Sequence, residues 1–312
     1  MIESVASALL PVDEIYMIKK NRIQYGNSRK RICIVTGTHG DELEGQFVCY
    51  QLQKILNSRK DINGIIDIYP SLNPLGMDSM NRKVPFFDLD MNRIFPGDKE
   101  GSLVESVAYD IVSDLKGADL VIDIHASNVY LKEIPQIRIN ETQADNLIDL
   151  AKHMNVDYIW IHSASTVLES TLAYTLNDMD TPTLVVEMGV GLRITEDYGN
   201  RLVDGILNTM KYLGMLTDDV PNVKQPIISL DKNVNFLNAK YAGLFLPSTD
   251  HDNFVEKGML IGQIVNPLNG EILDNIYSPC DGLLFTLREY PLVNEGSLIG
   301  RILEYNGKEN YL

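Results

Sequence analysis

Apolar runs of strand length alternate with helical periodicity through the first two thirds of the chain. Residues 31–35 (RICIV), 64–69 (GIIDIY), 120–124 (LVIDI) and 183–187 (TLVVE) are short and rich in β-branched side chains, as buried strands require. Helical spacing fills the intervals. It predicts helices over about 42–56, over 142–154 with Ala144, Leu147, Ile148 and Ala151 on one face, and over 196–213. Ser102 and Glu105 form a capping box, and Val104, Val107, Ala108, Ile111 and Leu115 follow it at helical spacing. Strands alternating with helices predict an α/β fold, a mostly parallel mixed sheet with helices on both faces.

After about Val220 the pattern changes. Pro221, Pro226, Pro247, Pro267, Pro279 and Pro291 punctuate short apolar runs, with turn pairs at Asn269-Gly270 and Asp281-Gly282. A small all-β unit is predicted, with the boundary between 217 and 226. This divides the chain into residues 1–222 and a β-rich capping domain, 223–312.

The 312 residues suffice for one large core and one small one. Net charge is −16, which argues against nucleic acid and anionic membranes as partners. A small anionic substrate held by one or two arginines stays compatible with it. A homo-oligomer is compatible with the sequence. The start, MIESVASALL, lacks the basic residues of a secretory signal, and no apolar stretch approaches the ~20 residues of a membrane helix. The three cysteines are widely spaced, and Cys33 and Cys49 read as buried free thiols. A cytoplasmic location is the expectation.

Three apolar strands each lead into a residue able to bind or serve a metal: the first into His39 and Glu42, the third into His125, the fourth into Glu187. Ligand sites in open α/β sheets collect at the carboxyl ends of strands, so these positions are predicted to converge. Two histidines and a glutamate suit one Zn2+ with a position open for water. Gly37 and Gly40 allow the backbone to bend between His39 and Glu42. Taken singly each residue has an ordinary explanation: a capping pair, a core histidine, a carboxylate paired with an arginine. Their shared placement carries the reading. Asp123, two residues before His125, is read as pointing to the opposite face and is left out of the ligand set.

GTHGDELEG (37–45), NP (73–74), DMNRIFPG (90–97), DIHAS (123–127) and VVEMG (185–189), in that order, resemble the succinylglutamate desuccinylase/aspartoacylase family of the zinc carboxypeptidase clan. The resemblance implies a zinc-dependent amidohydrolase acting on linear amides. It puts His39, Glu42 and His125 at the zinc-ligand positions and Glu187 at the general acid/base position. It also implies Asn92 and Arg93 as carboxylate-binding residues for a small substrate, and Asp90 as the partner that orients a zinc histidine. A guanidinium fork grips a carboxylate bidentately, which suits that role, although a turn with a surface arginine also fits. An oxyanion-stabilising arginine is implied upstream. Arg82 is the nearest candidate, although NRKVPFFDLD is longer than the family's usual spacing. Arg138, in the extended run PQIRI, either faces the site and binds substrate or is a solvated strand-edge arginine. His162 is read as a packing or local hydrogen-bonding residue, His153 as surface and His251 as a loop residue.

The C-terminal run resembles the barrel-sandwich fold of biotinyl and lipoyl carriers. The hairpin PLNGEILDNIYSPCDG holds no lysine, so a structural cap is expected. The family resemblance implies that this cap narrows the entrance, and it places Tyr290 where a substrate-contacting tyrosine can stand, although a buried or surface aromatic is the reading preferred. Deacylation of a small N-acyl amino acid is the function expected. A metallocarboxypeptidase acting on a peptide C-terminus and a non-catalytic metal- or ligand-binding protein are the alternatives.

Overall fold

The computed structural model describes residues 1–163 and 169–304. The first part of the chain runs β1 (Ile2–Leu9), β2 (Ile15–Tyr25), β3 (Arg31–Thr36), α1 (Glu44–Leu56), β4 (Gly64–Tyr69), α2 (Pro74–Asp78), α3 (Leu103–Leu115), β5 (Leu120–Ala126), β6 (Leu131–Asn140), α4 (Ala144–Ala151), β7 (Tyr158–His162), α5 (Leu172–Asp178), β8 (Thr183–Gly189) and α6 (Glu196–Tyr212). Short strands follow: β9 (Ile227–Leu230), β10 (Val234–Asn238), β11 (Gly243–Pro247), β12 (Asn253–Val255), β13 (Leu260–Val265), β14 (Ile272–Tyr277), β15 (Gly282–Arg288), β16 (Leu292–Val293) and β17 (Leu298–Glu304).

Among the described residues, thirteen strands form one mixed sheet whose main path is β1-β2-β4-β3-β5-β8-β6-β15-β17-β10. Its centre, β4-β3-β5-β8, is parallel. Side chains along those strands alternate between two cores. Ile32, Ile34 and Ile122 pack with Val48, Leu52 and Leu56 of α1 and Ile206 and Met210 of α6. Cys33, Val35 and Val121 pack with Val107, Ile111 and Leu115 of α3 and Leu172 of α5. Fully burying each such side chain contributes roughly 1.5–3 kcal/mol. That two-sided burial is why the strands read as continuous apolar runs.

The C-terminal strands are joined to this sheet. β15 pairs antiparallel with β6, and β9 pairs parallel with β7. A second sheet, β14-β13-β11-β16, closes over a core that includes Phe245, Ile261, Ile264 and Leu284. Tyr158, Trp160, Ile134, Phe285 and Leu303 form another cluster between the two regions. The fold is thus the mixed α/β sheet with a C-terminal β unit that the pattern predicts. Several bounds differ. The first helix begins at Glu44 and not at 42, and a 3-10 turn precedes a shorter α4 (Ala144–Ala151). The N-terminal pair β1 and β2 has no counterpart in the sequence reading.

All three cysteines are buried and free. No helix among the described residues is long and apolar enough to cross a membrane.

Candidate metal and catalytic site

The turn after β3 is built around two glycines with different duties. Gly37 takes a positive φ of 65°, which L side chains resist. Gly40 is a close approach: a Cβ there would lie 2.0 Å from the carbonyl carbon of Gly76. This tight passage sets His39 and Glu42 side by side, with His39 Nδ1 and Glu42 Oε1 2.8 Å apart. His125 belongs to β5, which runs on to Ala126 instead of ending before the histidine. Its Nδ1 lies 2.9 Å from Glu42 Oε2 and 3.3 Å from His39 Nδ1.

One ligand atom from each of the three residues falls within 4.8 Å of the others, and all three side chains are buried. Two nitrogens bound ~2.1 Å from a tetrahedral ion stand ~3.4 Å apart, and the two imidazole nitrogens here are 3.3 Å apart. Each imidazole also has a carboxylate at its far nitrogen, the arrangement that fixes tautomer and ring orientation at metal sites. Asp90 Oδ1 sits 3.1 Å from His39 Nε2, and Asp123 Oδ2 sits 3.1 Å from His125 Nε2, though the second pair is not aligned as a hydrogen bond. The donor set fits a single divalent ion.

The electrostatics follow from crowding. Burial opposes a charge on Glu42, but the imidazoles of His39 and His125 outweigh it and hold the carboxyl well below its usual range. Burial lowers the histidines' affinity for protons, yet Glu42 and Asp90 raise His39, and Asp123 and Glu42 raise His125. Burial pushes Glu187 up, and nearby Arg138 opposes it without cancelling it. Glu187 is the register partner of His125 on the adjacent parallel strand β8, so backbone pairing sets the spacing between them.

The remaining sequence candidates surround the same cavity of about 750 Å³, whose walls include His39, Glu42, Arg82, Asn92, Arg93, His125, Arg138 and Glu187. Arg82 donates to Glu42 Oε1 at 3.0 Å and to Asp90 Oδ2 at 3.3 Å. Asn92 is buried; its Oδ1 accepts from the Leu172 backbone at 2.9 Å. Arg93 donates from Nη1 to the Asn92 carbonyl at 2.7 Å. Arg138 is not a solvated edge residue. It lies 2.8 Å from Glu133 and 3.4 Å from Glu187. Asp90 lies behind His39 and outside the cavity wall.

A family model described as the succinylglutamate desuccinylase/aspartoacylase catalytic domain matches residues 28–213. The chain belongs to that family. The N-alpha-acetyl-L-2,4-diaminobutyric acid deacetylase of Halomonas elongata is 24% identical over 276 residues, covering 86% of this chain and 80% of that protein. The product-bound ectoine utilization protein EutE (DoeB) from Ruegeria pomeroyi has a TM-score of 0.82 at 20% identity, covering 96% of this chain and 93% of that one. A succinylglutamate desuccinylase/aspartoacylase from Rhodobacter sphaeroides also scores 0.82 at 20% identity, with 97% and 95% covered. Those two structures share the fold. The Halomonas and Rhodobacter proteins carry the names of deacylases.

In this member of the desuccinylase/aspartoacylase family, three side chains of the site escape the sequence reading. Asp123 shares a face with His125, because residues two apart on a strand point the same way; the opposite-face expectation was wrong. Glu133 is almost wholly buried beneath Arg138. Arg301 enters the cavity wall from β17. His162 also lines the cavity, at the end of β7. His251 is a loop residue, as read, but its Nε2 is 2.9 Å from the Tyr198 hydroxyl, which ties that loop to α6. Tyr290 is half exposed, edge-on to Tyr130 at 5.7 Å, in a shallower groove beside the main cavity.

Proposed function

We propose that this protein is a zinc-dependent amidohydrolase that removes the acyl group from a small N-acyl amino acid or a related carboxylate-bearing amide. The observation that carries the proposal is the convergence of His39, Glu42 and His125 within 4.8 Å on one wall of a cavity that Glu187 and four arginines also line. The names of the relatives supply the acyl amide class, since the curated one is a deacetylase of an N-acetylated amino acid.

His39, Glu42 and His125 would hold the ion. Zinc bound there supplies an acidified water and a polarised scissile carbonyl. Glu187, unligated and with its proton affinity raised by burial, takes a proton from water and returns it to the leaving amine. Arg138 restrains Glu187 from 3.4 Å away, and its guanidinium forms part of the cavity wall that substrate would face. Arg82 stands beside Glu42, where a guanidinium stabilises developing oxyanion charge. Asn92, whose carbonyl oxygen is engaged by Leu172, offers its amide NH2 to a substrate carboxylate, and Arg93 offers a guanidinium. Asp90 orients His39. We assign residues 1–222 to catalysis and 223–312 to capping of the cavity.

The test is metal analysis of the purified protein with a panel of N-acetyl and N-succinyl amino acids and short peptides. Release of free amine from the acyl amino acids, abolished by a chelator and restored by zinc, is the expected result. Cleavage of peptides alone would transfer the assignment to carboxypeptidases, and metal binding without turnover would mark a binding protein.

A further inference from the structure

Among the described residues that line the cavity, Arg301 is the one contributed by the C-terminal strands. Arg301 on β17 is 16% exposed and donates from Nη1 to Glu133 Oε1. Thr286 on β15 donates to the same oxygen at 3.2 Å. Glu133 is 1% exposed, sits on β6 beside a register shift, and therefore depends on these donors to carry a buried charge. Arg138 meets it with a single terminal nitrogen, Nη2, 3.1 Å from Oε1 and 2.8 Å from Oε2. The other terminal nitrogen of Arg138, Nη1, is 3.4 Å from Glu187 Oε1. Trp160 lies against both guanidiniums, at 5.6 Å from Arg138 and 5.7 Å from Arg301. The contacts run unbroken from Arg301 through Glu133 and Arg138 to Glu187.

The geometry poses a competition. An isolated carboxylate and guanidinium prefer the two-nitrogen fork, because it makes two parallel charge-assisted bonds. Arg138 does not close that fork on Glu133: its Nη2 alone spans both oxygens, and it shares Oε1 with Arg301 and Thr286. Its second terminal nitrogen is thereby left for Glu187. We propose that Arg301 is a positioning residue for Glu187: by occupying Glu133, it keeps Arg138 Nη1 directed at the proton-carrying carboxylate. The C-terminal unit then serves the chemistry itself, in addition to bounding the entrance. This inference rests on the reading of Glu187 as the proton carrier.

The experiment compares R301M and R301K with wild type as full-length, zinc-loaded proteins on an N-acetyl amino acid that wild type hydrolyses. Loss of a side chain that orients a catalytic or liganding group typically costs about 10–100-fold in activity. R301M is expected to lose about that much kcat with KM within about threefold, and R301K to regain most of it. In an E133Q background the further loss on adding R301M should be small, because the path already lacks its middle link. A crystal structure of R301M is expected to show Arg138 closed as a fork on Glu133 and withdrawn from Glu187. Three results would overturn the proposal: kcat within twofold of wild type, a rise in KM alone, or additive losses in the double variant. Should R301M not fold, T286V removes one competing donor without a charge change and must show the same split in smaller measure. A wild-type protein inert towards every N-acyl amino acid would instead sink the proposed function, and the position of Arg138 in the variant crystal would still decide the contact chain.

Discussion

Replacing Glu187 by Gln separates chemistry from folding with little change of shape. A positioned general base and acid contributes about 10²–10⁴-fold to rate, or about 2.7–5.4 kcal/mol of barrier at 1.36 kcal/mol per decade. The surroundings favour the upper half of that range. Among the described cavity-lining carboxylates, Glu42 and Asp123 face imidazoles, Glu133 is saturated by two arginines, and Asp178 is exposed at the rim. None stands ready to take over. Stability should move the other way. Burial raises the pKa of Glu187 despite Arg138, so the charged carboxylate burdens the folded state above that pKa, and the burden lifts as pH falls through it. A neutral amide removes the burden, and Tm at neutral pH is expected to equal or exceed that of wild type. The assay pairs kcat for amine release with zinc content and calorimetric melting. A variant within fivefold of wild-type kcat, one that loses its zinc, or one that melts clearly lower would refute the assignment.

Other outcomes follow from the same geometry. Metal affinity should weaken as pH falls, the loss setting in above the ordinary imidazole range, since His39 and His125 have raised pKa values and protons compete for their nitrogens; calorimetric Kd values independent of pH would contradict this. Gly40→Ala forces a Cβ to within 2.0 Å of the Gly76 carbonyl carbon, backbone against backbone. A loss of at least about 1–3 kcal/mol in denaturant unfolding is expected, together with weaker zinc binding. Asp67 is fully buried and lies 2.7 to 3.4 Å from Lys20, Arg22 and Arg31. Asp67→Asn should cost about 3–5 kcal/mol, because three cations lose their buried partner. Burial alone would raise that carboxyl, but its three cations depress it, so its stabilising contribution is present above about pH 3.9 and lost below. Removal of residues 226–312 strips β15 from β6 and β9 from β7; light scattering of the fragment should report aggregation through the bared edges.

The parts of the fold legible in the sequence were those where one physical demand acts alone. β3, β4, β5 and β8 are largely buried on both faces, so apolar side chains predominate along them and announce the strands, with Asp67, Asp123, His125 and Glu187 among the exceptions. β2 hides because its residues answer two demands: Ile18 is a core residue, while Lys20 and Arg22 turn inward to Asp67 and break the apolar pattern. β6 was visible only as PQIRI, since Glu133 and Lys132 make its first half look like solvated loop. In the site, His39, Glu42, His125 and Glu187 could be singled out because each sits near or just beyond the carboxyl end of an apolar strand. Arg301 lies in GRIL, an ordinary amphipathic strand, and nothing local marks it. Only the pairing of β15 with β6, which spans more than a hundred residues of sequence, carries it to the site.

His125 and Glu187 occupy matched rungs of two neighbouring parallel strands, whereas Arg82, Asn92 and Arg93 sit on the long connection between α2 and α3, which holds a 3-10 turn at Met91–Arg93. The spacing between the proposed ligand His125 and the proposed proton carrier Glu187 is therefore a property of the backbone ladder, about 4.8 Å per strand step, which no surface change readily alters. Residues on loops drift at much lower cost. A lineage built this way can exchange one acyl amide for another by editing the loop while the reactive atoms keep their places, and directed evolution of specificity should begin there.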